Sequence, residues 1–122
     1  MQARGKIVVY NEPYEGYGPS VAYRGSGAVE AARVGALAAL VRSVASRSIY
    51  SPHTGMMSYA SDVPRVAAAC ITVEDAEMLE RMQARGDRIL LALNITTLDF
   101  GLADSRNVVA DLPGTQLPQE VE

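Results

Sequence analysis

Gly27-Ala28-Val29-Glu30-Ala31-Ala32-Arg33-Val34-Gly35-Ala36-Leu37-Ala38-Ala39-Leu40-Val41-Arg42 is the stretch on which the fold turns. From Ala28 to Val41 its positions are almost all apolar, and only Glu30 and Arg33 interrupt them. Taken as one element, the run predicts a helix from Ser26 to about Arg42. Ser26 would be its N-cap, and Glu30 would sit near the positive helix end. A helix apolar nearly all round is buried on several sides. Its many alanines would allow close approach to a sheet.

On the N-terminal side, residues 6–10 read as a strand, because Ile7, Val8 and Val9 form a β-branched run. Asn11-Glu12-Pro13 ends it with turn chemistry. Residues 14–19 are rich in glycine and tyrosine and read as a loop, and Val21-Ala22-Tyr23 as a short strand. On the C-terminal side, residues 44–50 read as a polar-tolerant strand or extended segment, and residues 51–62 as a loop. Residues 66–71 read as a small-residue strand. Thr72-Val73-Glu74-Asp75 then has the form of a capping box, with Thr72 capping the amide three residues on and Asp75 reaching back.

In the helix that follows, Val73, Ala76, Leu79 and Met82 line one face. Glu77 and Arg81 can pair at i,i+4. Gly86 ends it in the left-handed role. Residues 88–97 read as the longest strand, with Ile89, Leu91, Leu93 and Ile95 alternating against polar neighbours. A last apolar run, residues 107–112, precedes Pro113-Gly114 and a polar tail. Each helix lies between strands, so a mixed sheet with helices packed on it is expected.

The 122 residues suit one domain, and 48% apolar residues suffice for one core. A net charge of −3 gives no pointer to nucleic acid or an anionic membrane. There is no apolar run of about eighteen residues, hence no membrane span. The first five residues show no apolar signal-peptide region. The single cysteine, Cys70, excludes an internal disulfide.

The chemistry-bearing residues are few. A hydrolytic zinc site usually needs roughly three protein ligands, and this chain has one histidine, His53, and no HExxH or His-x-Asp pattern. A nucleophilic triad would have to use His53 as its base. Cys70 sits inside an apolar run and reads as a small core residue. Gly25-Ser26-Gly27 is glycine-rich as phosphate loops are. The dinucleotide pattern would need glycine at position 30, where Glu30 would repel a pyrophosphate. A tight turn with a helix cap is the simpler reading. The odd feature is the segment Ser48-Ile49-Tyr50-Ser51-Pro52-His53-Thr54-Gly55-Met56-Met57, too long for a simple turn. Loops of this kind often carry binding.

Several stretches together resemble one family. Gly5-Lys6-Ile7-Val8-Val9-Tyr10-Asn11, Tyr23-Arg24-Gly25-Ser26-Gly27-Ala28-Val29-Glu30-Ala31-Ala32, Ser48 through Gly55, and Ala69-Cys70-Ile71-Thr72-Val73-Glu74-Asp75-Ala76 resemble the protease-associated (PA) domain of the carboxypeptidase Q family. The resemblance covers nearly the whole chain. It implies an α+β, β-rich PA-type barrel or sandwich with two main flanking helices, truncated at its N-terminal strands. Residues 1–104 would be the PA-type domain. Residues 105–122 would be a linker and the first strand of an absent peptidase domain.

The implied role is non-catalytic: shaping the cleft of a secreted or periplasmic two-zinc exopeptidase that acts on dipeptides and short peptides. The zinc ions would belong to the peptidase domain, and this chain would hold none. Its partners would be that domain and the peptide substrate, and exposed sheet edges would leave it open to pairing with a second copy. Tyr50, Ser51, Pro52, His53, Thr54 and Gly55 would form the loop facing the cleft. The rival readings are a stand-alone PA-type interaction module and a swivelling phosphohistidine domain. The phosphohistidine domain would use His53 but lacks its Ser-His-x-Ala surroundings here.

Overall fold

The structure is a computed structural model and describes residues 3–53, 55–112 and 115–116. Thr54 and the expected Pro113-Gly114 turn lie outside these residues, as does most of the polar tail. Five elements follow in order: β1 (Ile7–Tyr10), α1 (Tyr17–Arg33), β2 (Ala38–Arg42), β3 (Ala67–Ile71) and α2 (Val73–Ala84). The strands form one open sheet in the order β1-β2-β3. Both pairings are parallel, with Val9 opposite Leu40 and Leu40 opposite Ala69.

The alanine-rich run is two elements and not one helix. Its first part ends α1, and its last part is β2. Between them the chain reverses at Gly35, which has φ +76°. The Gly35 N–H donates to Ala32 O at 2.9 Å, and the Ala36 N–H donates to Ala31 O at 3.0 Å. This pair of bonds is the Schellman stop, which needs a residue tolerant of the left-handed region. Ala38, Ala39, Leu40 and Val41 are all buried. A parallel strand covered on both faces reads as continuous apolar sequence and cannot be told from a buried helix by periodicity.

The helix also starts earlier than expected. Gly16 is its N-cap, and Pro19 sits in its first turn, where a missing N–H is tolerated. Val21, Ala22 and Tyr23 are therefore helical. Ser20, Arg24, Gly27, Ala28 and Ala31 form the buried stripe, at helical spacing. Ser26 is no cap: its hydroxyl donates to Ala22 O at 3.0 Å, within the helix. Gly27 permits the closest contact with β1. A Cβ there would lie 2.9 Å from Tyr10 Cε2, and the Tyr10 hydroxyl donates to Gly27 O at 2.8 Å. The core beneath α1 is built of small residues, Ala28, Ala31, Ala36 and Ala39, flanked by Val8, Tyr10, Met57, Tyr59, Val66 and Ala68.

At α2 the Thr72 hydroxyl accepts the Asp75 N–H at 3.0 Å, as the capping pattern predicts. The reciprocal arm is diverted, because Asp75 Oδ1 accepts the Tyr50 hydroxyl at 3.1 Å. Glu77 meets Arg42 of β2 at 3.1 Å rather than Arg81. Gly86, at φ +80°, follows the helix end.

The expected strands at residues 44–50, 88–97 and 107–112 do not form among the described residues. Leu91, Leu93 and Ile95 keep the less exposed side of their segment, and Leu90, Leu98, Phe100 and Leu102 are wide open. Alternation marks the face a strand would bury. A ladder also needs a neighbour, which no described segment supplies. The β-rich closed barrel or sandwich is corrected in the same way: the sheet has three short strands and is open, with a helix of 17 residues between β1 and β2 and one of 12 residues after β3.

Two stability changes should follow, both read from urea unfolding midpoints. Thr72→Ala removes the α2 cap and should cost about 1 kcal/mol. Ala39→Leu places a large side chain at a fully buried position against Ala28 and Ala31 and should cost about 1–3 kcal/mol.

Candidate functional site

The segment after β2 is tied down at two points. Ser43, the first residue beyond β2, donates its hydroxyl to Ile71 O at 2.8 Å. The Ser43 Oγ in turn accepts the His53 N–H at 2.8 Å. The His53 Nδ1 is hydrogen bonded to Val44 O. A carbonyl can only accept, so Nδ1 carries the proton. In the neutral ring this leaves Nε2 as a bare acceptor.

The second tie is Tyr50. Its N–H donates to Glu74 Oε1 at 3.0 Å and its hydroxyl to Asp75, so both bonds end on the first turn of α2. Tyr50 is the only non-glycine at positive φ among the described residues, at +59°. Such a conformation persists where the surroundings enforce it. The Ser48 hydroxyl, then the N–H groups of Glu74 itself and of Tyr50, hold the Glu74 carboxyl below its ordinary range. The hydrogen bond to Asp75, and then the charge of Asp75, push the Tyr50 phenol up.

Of the remaining loop residues, the Ser51 N–H makes a long bond of 3.4 Å to Ser48 Oγ. Pro52 is exposed. Thr54 lies outside the described residues. Gly55 lies against Arg24 of α1, where a Cβ would come within 2.6 Å of the guanidinium carbon. The structure thus brings Tyr50 to α2, His53 to the end of β2, and Gly55 to α1.

Arg24 is the unexpected member. It sits on the buried stripe of α1 and is only 8% exposed. Its Nη2 donates to the Tyr17 hydroxyl at 2.7 Å, and its guanidinium carbon lies 5.6 Å from the Tyr17 ring centroid. Its Nε and Nη1 are buried and have no partner among the described residues. The Tyr17 ring also meets His53, at 6.0 Å between centroids. Arg24, Tyr17, His53 and Gly55 therefore form one cluster under and beside the loop. Cys70 of β3 lies near it. Burial pushes its thiol up, and the charge of Arg24 partly offsets this.

A second polar group lies at the C-terminal ends of the strands. Arg42 donates from Nη1 to Asn11 Oδ1 at 2.9 Å and from Nη2 to Glu77. The Asn11 amide donates to Glu80 Oε2 at 3.0 Å. These bonds fasten α2 to β1 and β2. The hollow beside them, between Tyr10, Tyr23 and Val44, has room for about one water. Among the described residues, no three of His, Cys, Asp and Glu gather as a metal site. Gly25-Ser26-Gly27 lies inside α1, with its amides in the helix, so it presents no phosphate loop.

Sequence reasoning missed Arg24 and Tyr17 because it started the helix at Ser26. With a start at Tyr17, Arg24 falls on the apolar stripe between Ser20 and Ala28, and a charged residue there is a visible signal.

No protein-family model matches the chain. It is similar to the carboxypeptidase Q of Bos taurus, 57% identical over 119 residues, covering 98% of this chain and 25% of that protein. The carboxypeptidase Q of Pongo abelii is 58% identical and that of Homo sapiens 55% identical, each over 120 residues, with the same coverage of both chains. The chain thus spans about a quarter of the length of the curated relatives it matches. Among solved structures, a peptidase M28 precursor from Shewanella amazonensis SB2B aligns with a TM-score of 0.64 at 33% identity, over 70% of this chain and 21% of that one. Over nearly its whole length, therefore, the chain is similar to one quarter of carboxypeptidase Q, and its fold recurs within a peptidase M28 chain.

Proposed function

We propose that the chain is a non-catalytic, PA-type segment of a two-zinc exopeptidase, and that it presents the loop at residues 50–55 to the substrate cleft. Arg24, beneath that loop, receives the free carboxylate of the peptide. The observation that carries this is the buried guanidinium with two unpartnered nitrogens. An unpaired buried charge costs several kcal/mol. A carboxylate is its natural partner, because the planar guanidinium matches two oxygens at once.

The relatives' name, carboxypeptidase Q, fits a site that must recognise a free C-terminus. By the resemblance, the zinc ions would belong to the peptidase domain of the parent protein. The resemblance to carboxypeptidase Q supports a secreted or periplasmic setting for the parent protein.

In the complete enzyme, Arg24→Gln should lower kcat/KM for peptides with a free C-terminus by about 10- to 100-fold, the worth of a charged hydrogen bond. C-terminally amidated peptides should lose little. Equal losses on both would remove Arg24 from carboxylate recognition, and circular dichroism would check that the fold is kept. Substitution of Tyr50 or His53 should also change kcat/KM, and unchanged kinetics on every peptide tried would sink the loop's role.

The loop should respond to acid. The Glu74 carboxyl is held below its ordinary value of 4.5 in the folded state. Its anchoring bonds are therefore complete above that value and are lost as pH falls through the lower, folded one. The protection factor of the Tyr50 amide, its exchange by NMR relative to an unstructured chain at the same pH, should fall below that pH in the intact fold and stay high above it.

A further inference from the structure

We infer that the cleft between α1 and β1 is a binding site for a basic side chain of a peptide partner, arginine above lysine. It uses neither the loop nor Arg24, so it stands apart from the carboxylate reading.

The cleft has a volume of about 310 Å³. Tyr10 of β1 forms one side, and the other is the face of α1 that carries Pro19, Ala22, Tyr23, Ser26 and Glu30. That size lies at the small end of ligand pockets, roughly 300–1,000 Å³, and suits one side chain better than a cofactor. The sequence explains the opening. Ala22 and Ser26 lie one turn apart, and both are small and exposed. Gly27 beside them has no side chain at all. The rings of Tyr10 and Tyr23 are therefore left as walls, 5.9 Å apart and tilted by 41°.

The chemistry of these walls selects a cation. The Tyr10 hydroxyl donates to Gly27 O and the Ser26 hydroxyl to Ala22 O, so neither has a proton left for an anion. Pro19, in the first turn, has no N–H to offer. Glu30 supplies negative charge. That charge reaches Tyr10, whose phenol is pushed up first by burial and then by Glu30. The ion pair of Glu30 with Arg33 is long, at 3.6 Å, and exposed, and Arg33 has a closer partner in Asp62 at 3.2 Å. Exposed pairs of this kind contribute little, so the Glu30 carboxylate is free to turn to a ligand. Aromatic faces attract cations, and a planar guanidinium stacks on them where an ammonium does not. An arginine brings an apolar stem for Ala22 and Pro19, a flat cation for the two tyrosines and N–H donors for Glu30.

The test is an NMR titration of the nitrogen-labelled chain with acetyl-Ala-Arg-Ala-amide. Both ends of this probe are blocked, so it brings Arg24 no carboxylate. The amides of residues 22–30 should shift and saturate. The citrulline peptide has the same shape without the charge and should bind at least about fivefold more weakly, with the lysine peptide between the two. Glu30→Gln and Tyr23→Leu should each weaken the arginine peptide about 3- to 5-fold, the worth of one exposed ion pair or cation–π contact. Ser26→Leu fills the cleft from an exposed helix position and should abolish binding, with the spectrum outside α1 unchanged. Equal binding of the arginine and citrulline peptides would overturn the proposal. So would undiminished binding by Ser26→Leu, or the absence of saturable shifts at residues 22–30. None of these outcomes touches the carboxylate role of Arg24, which is judged on free and amidated termini.

Discussion

The left-handed turn at Gly35 is the constraint from which the rest of the structure descends. It stops α1 with two backbone bonds and points the chain back along the sheet. Because the turn is so short, β2 lies directly against the helix that precedes it. Only alanines fit the gap, and Ala28, Ala31, Ala36 and Ala39 fill it. The close packing also fixes the rotation of α1. With Ala28 and Ala31 turned to the sheet, Arg24 one turn earlier must be buried as well. A cation is thus carried inward by the same stripe that makes the core.

What lies beyond β2 is held by polar bonds more than by packing. Ser43 joins the end of β2 to β3 and to His53, and Tyr50 joins the loop to the cap of α2. The Arg42, Asn11, Glu77 and Glu80 network keeps α2 in place beside the strand ends. Partly exposed ion pairs contribute little stability individually. Their value here is positional, because the Tyr50 anchor of the loop rides on α2.

β1, β3 and the N-terminus of α2 were legible in the sequence because each has a local signature: a β-branched run, a small apolar run bounded by proline, and Thr72 three residues before Asp75. α1 and β2 were not, because a fully buried strand and a buried helix share one apolar alphabet. The glycine between them was the only mark of the boundary. The alternating residues 88–97 gave a clear period without a ladder, since pairing depends on a neighbour and not on the segment itself. At the candidate site, loop composition pointed to His53 and Tyr50. Arg24 depends on where α1 begins, and that start has a glycine N-cap with no side-chain bond to announce it.

The contact between Gly55 and Arg24 ties the position of the loop to the charge beneath it. The packing of Gly55 keeps water from the guanidinium, which is unfavourable for a bare cation. With a carboxylate on Arg24, as proposed, the same packing would cover a neutral pair. Under the proposed reading, anion binding at Arg24 and the packing of Gly55 would be thermodynamically linked, each favouring the other by the same factor. One glycine, by lacking a side chain, lets the loop come close enough for that coupling to exist.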